Sequence, residues 1–106
     1  MQSPLPPFDT VADAVEAIAN GEFVIVVDDT DRENEGDLII AAEKITTEQM
    51  AFLVKYSSGL VCVAMQEQRL QALDLPQMVA HNADPFRTAF TVSVDYKYGT
   101  TSGISA

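Results

Sequence analysis

The stretch FVIVVDDTDRENEGDLII, residues 23 to 40, decides how this chain is organised. Between two apolar runs it carries one arginine and six carboxylates, which are Arg32, Asp28, Asp29, Asp31, Glu33, Glu35 and Asp37. Like charges crowded together oppose folding, and each carboxylate prefers water. The stretch is therefore either a solvated connection between two strands or a site where a bound cation offsets the repulsion.

The residues on either side of the acids predict two strands. Residues 23 to 27 form a continuous, mostly β-branched run, which is typical of a strand covered on both faces. Residues 38 to 42 form a second short apolar run. Sheets of α/β proteins place ligands at strand ends, and Asn34 and Gly36 tolerate tight or left-handed backbone. These features favour a ligand site over an idle solvated loop.

Three helices are predicted around this segment. Thr10 can cap a helix that Asn20 and Gly21 end, and its apolar positions follow helical spacing: Val11, Ala14, Val15, Ile18 and Ala19. Thr46 or Thr47 caps a second helix, which Gly59 closes, with Met50, Leu53, Val54 and Ser57 on one face. Residues 67 to 73 form a short helix that stops near Pro76.

Two further strands complete the predicted fold. Residues 60 to 65 are apolar, and residues 90 to 94 alternate between apolar and polar side chains, as a half-buried strand does. We expect an α+β (mixed α/β) class, a layered fold in which helices flank a mixed, twisted β-sheet. The chain stops at GTTSGISA, a turn-like segment, so we expect a truncated fold with an unfinished sheet.

Composition excludes several classes of function. The 106 residues carry 16 acids against 6 bases, a net charge of −10, which argues against nucleic acid or an anionic membrane as partner. No apolar run approaches the roughly 18 residues of a membrane span, and no secretory signal is recognisable, so we expect a cytoplasmic protein. The single Cys62 excludes an internal disulfide and a cysteine-based zinc site.

The acidic segment does not have the spacing of a calcium-binding EF-hand. A loop counted from Asp29 has Asn34 at its sixth position and Ile40 at its twelfth, where Gly and Glu are required. A loop counted from Asp31 places Gly36 correctly but ends on Ala42. Magnesium is more plausible because it takes one or two protein carboxylates and keeps its other positions for water or substrate oxygens.

Four segments together resemble one enzyme family. DDTDRENEGDLI resembles the signature loop of 3,4-dihydroxy-2-butanone 4-phosphate synthase, an enzyme of riboflavin biosynthesis. TTEQMAFLVKYSSGLVCVAM, LDLPQMV and TAFTVSVDYKYGTTSGISA are similar to later family segments in the same order. The resemblance implies that residues 10 to 106 are the N-terminal half of the synthase domain. The three prolines of the N-terminal segment predict a flexible arm over residues 1 to 9.

The resemblance also implies a reaction and a set of site residues. The family is a lyase that converts D-ribulose 5-phosphate to 3,4-dihydroxy-2-butanone 4-phosphate and formate with Mg²⁺ or Mn²⁺, as a homodimer. By position, Glu33 resembles the metal ligand, and Arg32, Glu33, Asp37 and Thr101 resemble substrate contacts. Glu35 and Asp37 are the candidates for proton transfer. Cys62 is either a buried structural thiol or a residue close to the catalytic groups.

Two other hypotheses stay open at this point. In the first, the chain is a non-catalytic fragment that serves as a metal-binding or dimerisation module. In the second, it is an acidic metal-buffer protein on which ribulose 5-phosphate has no effect. Under the synthase hypothesis we expect the 106 residues by themselves to be inactive, because a single glutamate supplies too few fixed ligands for a cation.

Overall fold

The computed structural model describes residues 8–31, 33–81, 88–101 and 103–106. These residues divide into two compact units, one that includes the chain up to Gly59 together with Ala106, and one over Leu60–Ser105. Helix α1 is Val11–Ala19, strand β1 is Val24–Val27, strand β2 is Gly36–Ile39, helix α2 is Thr47–Tyr56 and helix α3 is Glu67–Ala72. Helices and a small antiparallel sheet together confirm the mixed α+β class.

Helix α1 forms between two local signals that the sequence carries. The Thr10 hydroxyl accepts a hydrogen bond from the Asp13 N–H at 3.1 Å and so caps the first turn. At the other end Gly21 adopts φ +76°, and its N–H and that of Glu22 bond to Ile18 and Ala17 carbonyls at 3.1 and 2.9 Å. This is the Schellman ending that glycine favours, and it directs the chain into β1.

Helix α2 begins with a capping box. The Thr46 hydroxyl accepts from the Gln49 N–H at 3.2 Å, and the Gln49 side chain accepts from the Thr46 N–H at 2.9 Å. The predicted cap at Thr46 or Thr47 is therefore Thr46. The helix ends at Tyr56, three residues before Gly59, and its C-cap is Ser57, whose N–H donates to the Leu53 carbonyl at 3.1 Å.

Strands β1 and β2 form an antiparallel hairpin. Val24 pairs with Ile39, Ile25 with Leu38, Val26 with Asp37 and Val27 with Gly36. Side chains alternate between the faces of a strand, so Asp37 shares one face with Val26, while Ile25, Val27 and Leu38 share the other. The second strand begins at Gly36, two residues earlier than predicted, and Gly36 is extended rather than left-handed.

Side chains and one helix from the same unit pack around this hairpin. Helix α1 lies against β1. The ring of Phe23 lies 5.6 Å, centroid to centroid, from that of Phe52 on α2. The Gln49 amide donates to the Gly21 carbonyl at 2.9 Å, and the Lys44 ammonium donates to the Ala19 carbonyl. These contacts hold the residues that lead into β1 against α2 and against the segment that precedes it.

None of the described residues is fully buried. We expected both faces of β1 to be covered, and this is wrong for the described chain, because Ile25 is 69% exposed and Val26 and Val27 are about half exposed. The half-buried apolar positions of the first unit are Ala14, Ala17, Ile18, Phe23, Val24, Leu38, Ile40, Ala41, Ile45, Met50 and Leu53. These positions are the partial core of the first unit.

Helix α3 opens the second unit and matches its prediction within a residue. Its last turn closes through Asp74, which adopts φ +56°, while the Leu75 N–H donates to the Leu70 carbonyl at 2.9 Å. Pro76 follows, as predicted from its inability to continue a helix. Leu70 and Leu75 are the least exposed apolar residues of this unit.

Two predicted strands of the second unit are wrong. Residues 60 to 65 form no strand, and residues 90 to 94 contribute one isolated antiparallel bridge, between Thr91 and Gln77. The prediction that the apolar side chains of residues 90 to 94 are the covered ones is also wrong, since Thr91 is less exposed than its apolar neighbours Phe90 and Val92. A strand exists only where a partner satisfies its backbone N–H and C=O groups. No described segment pairs with residues 60 to 65, so the predicted mixed sheet is reduced to the hairpin.

No helix in the described parts of the chain combines the length and the apolar composition that a membrane crossing requires.

Candidate functional site: the acidic loop of the hairpin

Residues 28 to 35 connect β1 to β2, and we call them the acidic loop. The hairpin explains why these residues cluster: the paired strands bring Val27 and Gly36 opposite each other, and the eight residues between them must return within that spacing. The sequence predicted a loop between two strands at this position, and the structure confirms it. Charged side chains from one short segment are therefore held at one end of the hairpin.

Asp28 organises the acidic loop. Its carboxylate accepts a hydrogen bond from the Glu33 N–H at 2.9 Å through Oδ2 and from the Glu35 N–H at 3.0 Å through Oδ1. Its own N–H lies 3.4 Å from the Glu35 carbonyl oxygen and donates to it, which continues the hairpin pairing by one step. Asp28 is half-buried, whereas the other five acids of the segment are exposed.

Asn34 lies between the two residues that Asp28 holds and adopts φ +53°. This left-handed conformation costs most residues about 1–2 kcal/mol and is tolerated by Gly, Asn and Asp. The sequence predicted that Asn34 could adopt it, and the structure confirms this. The reversal at Asn34 allows both oxygens of one carboxylate to reach the N–H groups on its two sides.

The candidate residues Glu33, Glu35 and Asp37 occupy two different settings in this hairpin. Glu33 and Glu35 are exposed, and Asp28 holds each of them by its backbone N–H. Asp37 is an exposed residue of β2, fixed by its pairing with Val26. Three carboxylates at alternating positions thus project from ordered backbone at the end of the hairpin. Carboxylate oxygens in water-accessible positions are suitable ligands for a hard divalent cation and suitable carriers of protons.

The described residues do not by themselves complete a metal site. Within residues 8–31, 33–81, 88–101 and 103–106, no group of three or more His, Cys, Asp or Glu side chains is placed to hold a metal ion. Mg²⁺ is normally held by one or two protein carboxylates with water or substrate oxygens in its other positions. The exposed Glu33 carboxylate fits the role of one such ligand.

Arg32, the predicted substrate contact in the acidic loop, lies outside the described residues. Cys62 and Thr101 belong to the second unit, and both are exposed. Of the two alternatives for Cys62, the buried structural thiol is wrong for the described chain, because residues 60 to 65 form no strand and its thiol is free and exposed. Thr101 follows Thr100, whose hydroxyl donates to the Tyr96 carbonyl at 2.5 Å and closes a turn.

Sequence reasoning missed the role of Asp28, which it treated as one more charge in the cluster. A signal for it was present, since an Asp that directly follows a strand commonly accepts hydrogen bonds from nearby backbone N–H groups. The sequence alone does not show how far along the chain the N–H groups that bond to Asp28 lie. The partners lie five and seven residues away and meet Asp28 only because the hairpin closes.

Comparison with known proteins gives one consistent result. The family model for 3,4-dihydroxy-2-butanone 4-phosphate synthase matches residues 12–106. The chain is 62% identical over 104 residues to the synthase of that name from Pyricularia oryzae, covering 97% of this chain and 45% of that protein. It is also 62% identical over 96 residues to the synthase from Agrobacterium fabrum, covering 91% of this chain and 45% of that protein.

A solved structure agrees with these sequence matches. The crystal structure of a 3,4-dihydroxy-2-butanone 4-phosphate synthase in complex with two magnesium ions superposes with a TM-score of 0.86 at 63% identity, covering 92% of this chain and 46% of that one. The chain therefore spans about half the length of the curated and solved relatives that it matches.

Proposed function

The chain belongs to the 3,4-dihydroxy-2-butanone 4-phosphate synthase family, and from that premise we propose that it supplies the acidic-loop half of a lyase active site. The reaction converts D-ribulose 5-phosphate to 3,4-dihydroxy-2-butanone 4-phosphate and formate, a step in riboflavin biosynthesis. The observation that carries the proposal is the hairpin, which presents Glu33, Glu35 and Asp37 together within the segment that matches the family. The chain covers 45% of its relatives, so the activity is proposed for the protein at its full natural length.

A divalent cation, Mg²⁺ or Mn²⁺, is part of this proposal. The related structure with two magnesium ions and the exposed carboxylates of the acidic loop support it. We assign Glu33 as a ligand because its carboxylate is exposed and its backbone is anchored at both Glu33 and Glu35. When bound, a divalent cation polarises substrate oxygens and offsets the charge of the surrounding acids. Its remaining ligands are water, substrate and residues beyond this loop.

Proton transfer is assigned to Glu35 and Asp37. The reaction requires removal of a proton from carbon beside a ketone, and later the return of a proton to a departing oxygen. Two carboxylates that lie two residues apart at the start of β2 can divide these roles. Asp37 has the more rigid setting, because β2 pairs it with Val26, while Glu35 is held through its N–H by Asp28.

The other candidates receive supporting roles. Arg32 contacts the anionic substrate, since a guanidinium is well suited to a phosphate or to vicinal oxygens. Thr101 contacts substrate, and in a homodimer it does so from the neighbouring subunit. For Cys62 we propose a role beside the catalytic groups of the full-length protein, which the family resemblance supports. The exposed apolar surface of the hairpin supports association, because monomeric proteins rarely leave such area uncovered.

A non-catalytic fragment that binds metal or dimerises is the second candidate function. It is favoured by one observation, the exposed apolar side chains of the hairpin, which a second copy of the chain would cover. The two candidates differ in what they predict for substrate turnover. The synthase releases formate from ribulose 5-phosphate, whereas the fragment binds a cation and leaves the sugar phosphate unchanged.

The test uses the protein at its full natural length, incubated with D-ribulose 5-phosphate and Mg²⁺ while formate is followed by proton NMR. We expect formate to appear, and chelation of the metal with EDTA to stop it. Glu33→Gln keeps the shape of the side chain but removes the charge that anchors the cation, so formate release should fall by at least about 100-fold. Asp29→Asn is the matched control, since Asp29 is an exposed acid of the same loop. Near-normal turnover by Glu33→Gln at saturating Mg²⁺ would contradict the metal-ligand assignment.

A further inference from the structure

Asp28 differs from the other acids of the segment in what its charge does. Its two carboxylate oxygens accept from two backbone N–H groups, at 2.9 Å from Glu33 and at 3.0 Å from Glu35. Charge-assisted bonds of this kind are about twice as strong as neutral ones. Asp28 is also half-buried, while the five other acids are exposed. Its carboxylate is directed into the loop, and those of its neighbours face solvent.

The two bonds act on two of the residues that the proposed reaction uses. Glu33 and Glu35 flank Asn34, whose φ of +53° reverses the chain between them. One carboxylate therefore fixes the backbone on both sides of the reversal. Fixing the backbone at Glu33 and Glu35 limits the directions that their side chains can take, and it does so before any ligand arrives. Preorganisation of this kind strengthens binding because less ordering remains to be done.

We propose that Asp28 is a positioning residue, which sets the affinity of the acidic loop for a divalent cation by holding Glu33 and Glu35 and does not itself contact the cation. The inference rests on the proposed function, since it takes Glu33 to be a metal ligand. The structure supplies a comparison within the same loop. Asp29 and Asp31 carry the same charge a few residues away, are exposed, and make none of the described hydrogen bonds to Glu33 or Glu35.

The test compares Asp28→Asn with Asp29→Asn and Asp31→Asn in the protein at its full natural length. Each variant removes one negative charge and keeps the side-chain size. Asparagine at position 28 retains one acceptor oxygen, and its NH₂ group cannot accept from the second backbone N–H, so one of the two bonds is lost. Mg²⁺ affinity is measured by titration calorimetry on the metal-free protein. Hydrogen exchange of the Glu33 and Glu35 amides is measured by NMR.

We expect Asp28→Asn to weaken Mg²⁺ binding by about 10-fold or more, the range seen when groups that orient metal ligands are removed. The amide of Glu33 or of Glu35 should also exchange faster. Asp29→Asn and Asp31→Asn should weaken binding by no more than about three-fold, because exposed charges are screened, and should leave both amides unchanged. Asp28→Glu restores the charge and both oxygens one methylene further out, so it should recover part of the affinity.

Equal loss of Mg²⁺ affinity in all three asparagine variants would overturn the proposal, because charge alone would then explain it. Fast exchange of both amides in the wild-type protein, or no detectable Mg²⁺ binding by it, would also overturn it. If circular dichroism shows that Asp28→Asn does not fold, the amide exchange of the wild-type protein and the Mg²⁺ affinity of Asp28→Glu still test the proposal. The proposed function fails separately: Mg²⁺ binding that depends on Asp28 without formate release would remove the synthase activity and leave the positioning role intact.

Discussion

Replacement of Asn34 tests whether the shape of the acidic loop controls the site. Asn34 is exposed and adopts φ +53°, so its conformation and not its burial is the constraint. Glycine adopts this backbone conformation freely and asparagine tolerates it. The conformation costs alanine about 1 kcal/mol of free energy and the β-branched valine about 2 kcal/mol. At 1.4 kcal/mol for each factor of ten, the equilibrium constant for the loop conformation that holds Glu33 and Glu35 should fall about five-fold in Asn34→Ala and about 30-fold in Asn34→Val.

The assay is the Mg²⁺ concentration that gives half-maximal formate release by the protein at its full natural length. The structure predicts the order Gly, Asn, Ala, Val, from the lowest Mg²⁺ requirement to the highest, with Asn34→Gly within about three-fold of the wild type. Circular dichroism should show the same fold in all four proteins. Equal values for Asn34→Gly and Asn34→Val would refute the reasoning, since the two residues differ most in their tolerance of positive φ. Equal losses in every variant would instead indicate a role for the Asn34 side chain itself.

Two further predictions follow from the described geometry. The 106 residues alone should release no formate from D-ribulose 5-phosphate and Mg²⁺. They should also associate at micromolar concentration, as measured by light scattering, because no described residue is fully buried and Ile25, Val26 and Val27 remain exposed. A stable monomer with turnover would contradict this prediction. Gly21→Ala should lower the free energy of unfolding in urea by about 1–2 kcal/mol, because Gly21 has φ +76°. Gly36→Ala is the control, because an added Cβ there also meets its nearest atom at 3.4 Å but φ is not positive. It should lower the free energy of unfolding by less than about 1 kcal/mol. Equal losses for the two variants would show that backbone conformation is not the cause.

The elements predicted correctly are those whose signals are local. Thr10 caps α1 and Gly21 ends it within a few residues of the helix they define. The capping box of α2 needs only Thr46 and Gln49, three positions apart. Such signals depend on hydrogen bonds between close neighbours in the chain, so they can be recognised without knowledge of the fold.

The elements predicted wrongly depend on partners far along the chain. Residues 60 to 65 have the side chains of a strand, but within the described residues no segment pairs with them. Residues 90 to 94 form a single bridge, between Thr91 and Gln77. Apolar alternation reports how well side chains suit a sheet and not whether a neighbouring strand is available. The exposure of Cys62 follows from the same missing pairing.

The candidate site divides in the same way. The acids and their spacing are visible in the sequence, and so is the tolerance of Asn34 for a left-handed backbone. The two hydrogen bonds that Asp28 accepts from the Glu33 and Glu35 N–H groups are not visible, because they require the hairpin register that places Val27 opposite Gly36. The charges could be predicted from the sequence. Their division into one structural acid and several exposed acids could be seen only in the structure.

The most direct test of the proposed activity follows one carbon atom. D-Ribulose 5-phosphate labelled with ¹³C at C4 is incubated with Mg²⁺ and the protein at its full natural length, and the label is located by carbon NMR. If the chain contributes to a 3,4-dihydroxy-2-butanone 4-phosphate synthase, C4 is expelled, so the label should appear in formate, one equivalent for each equivalent of unlabelled four-carbon phosphate. A label that stays in a phosphorylated sugar, with no labelled formate, would contradict the account.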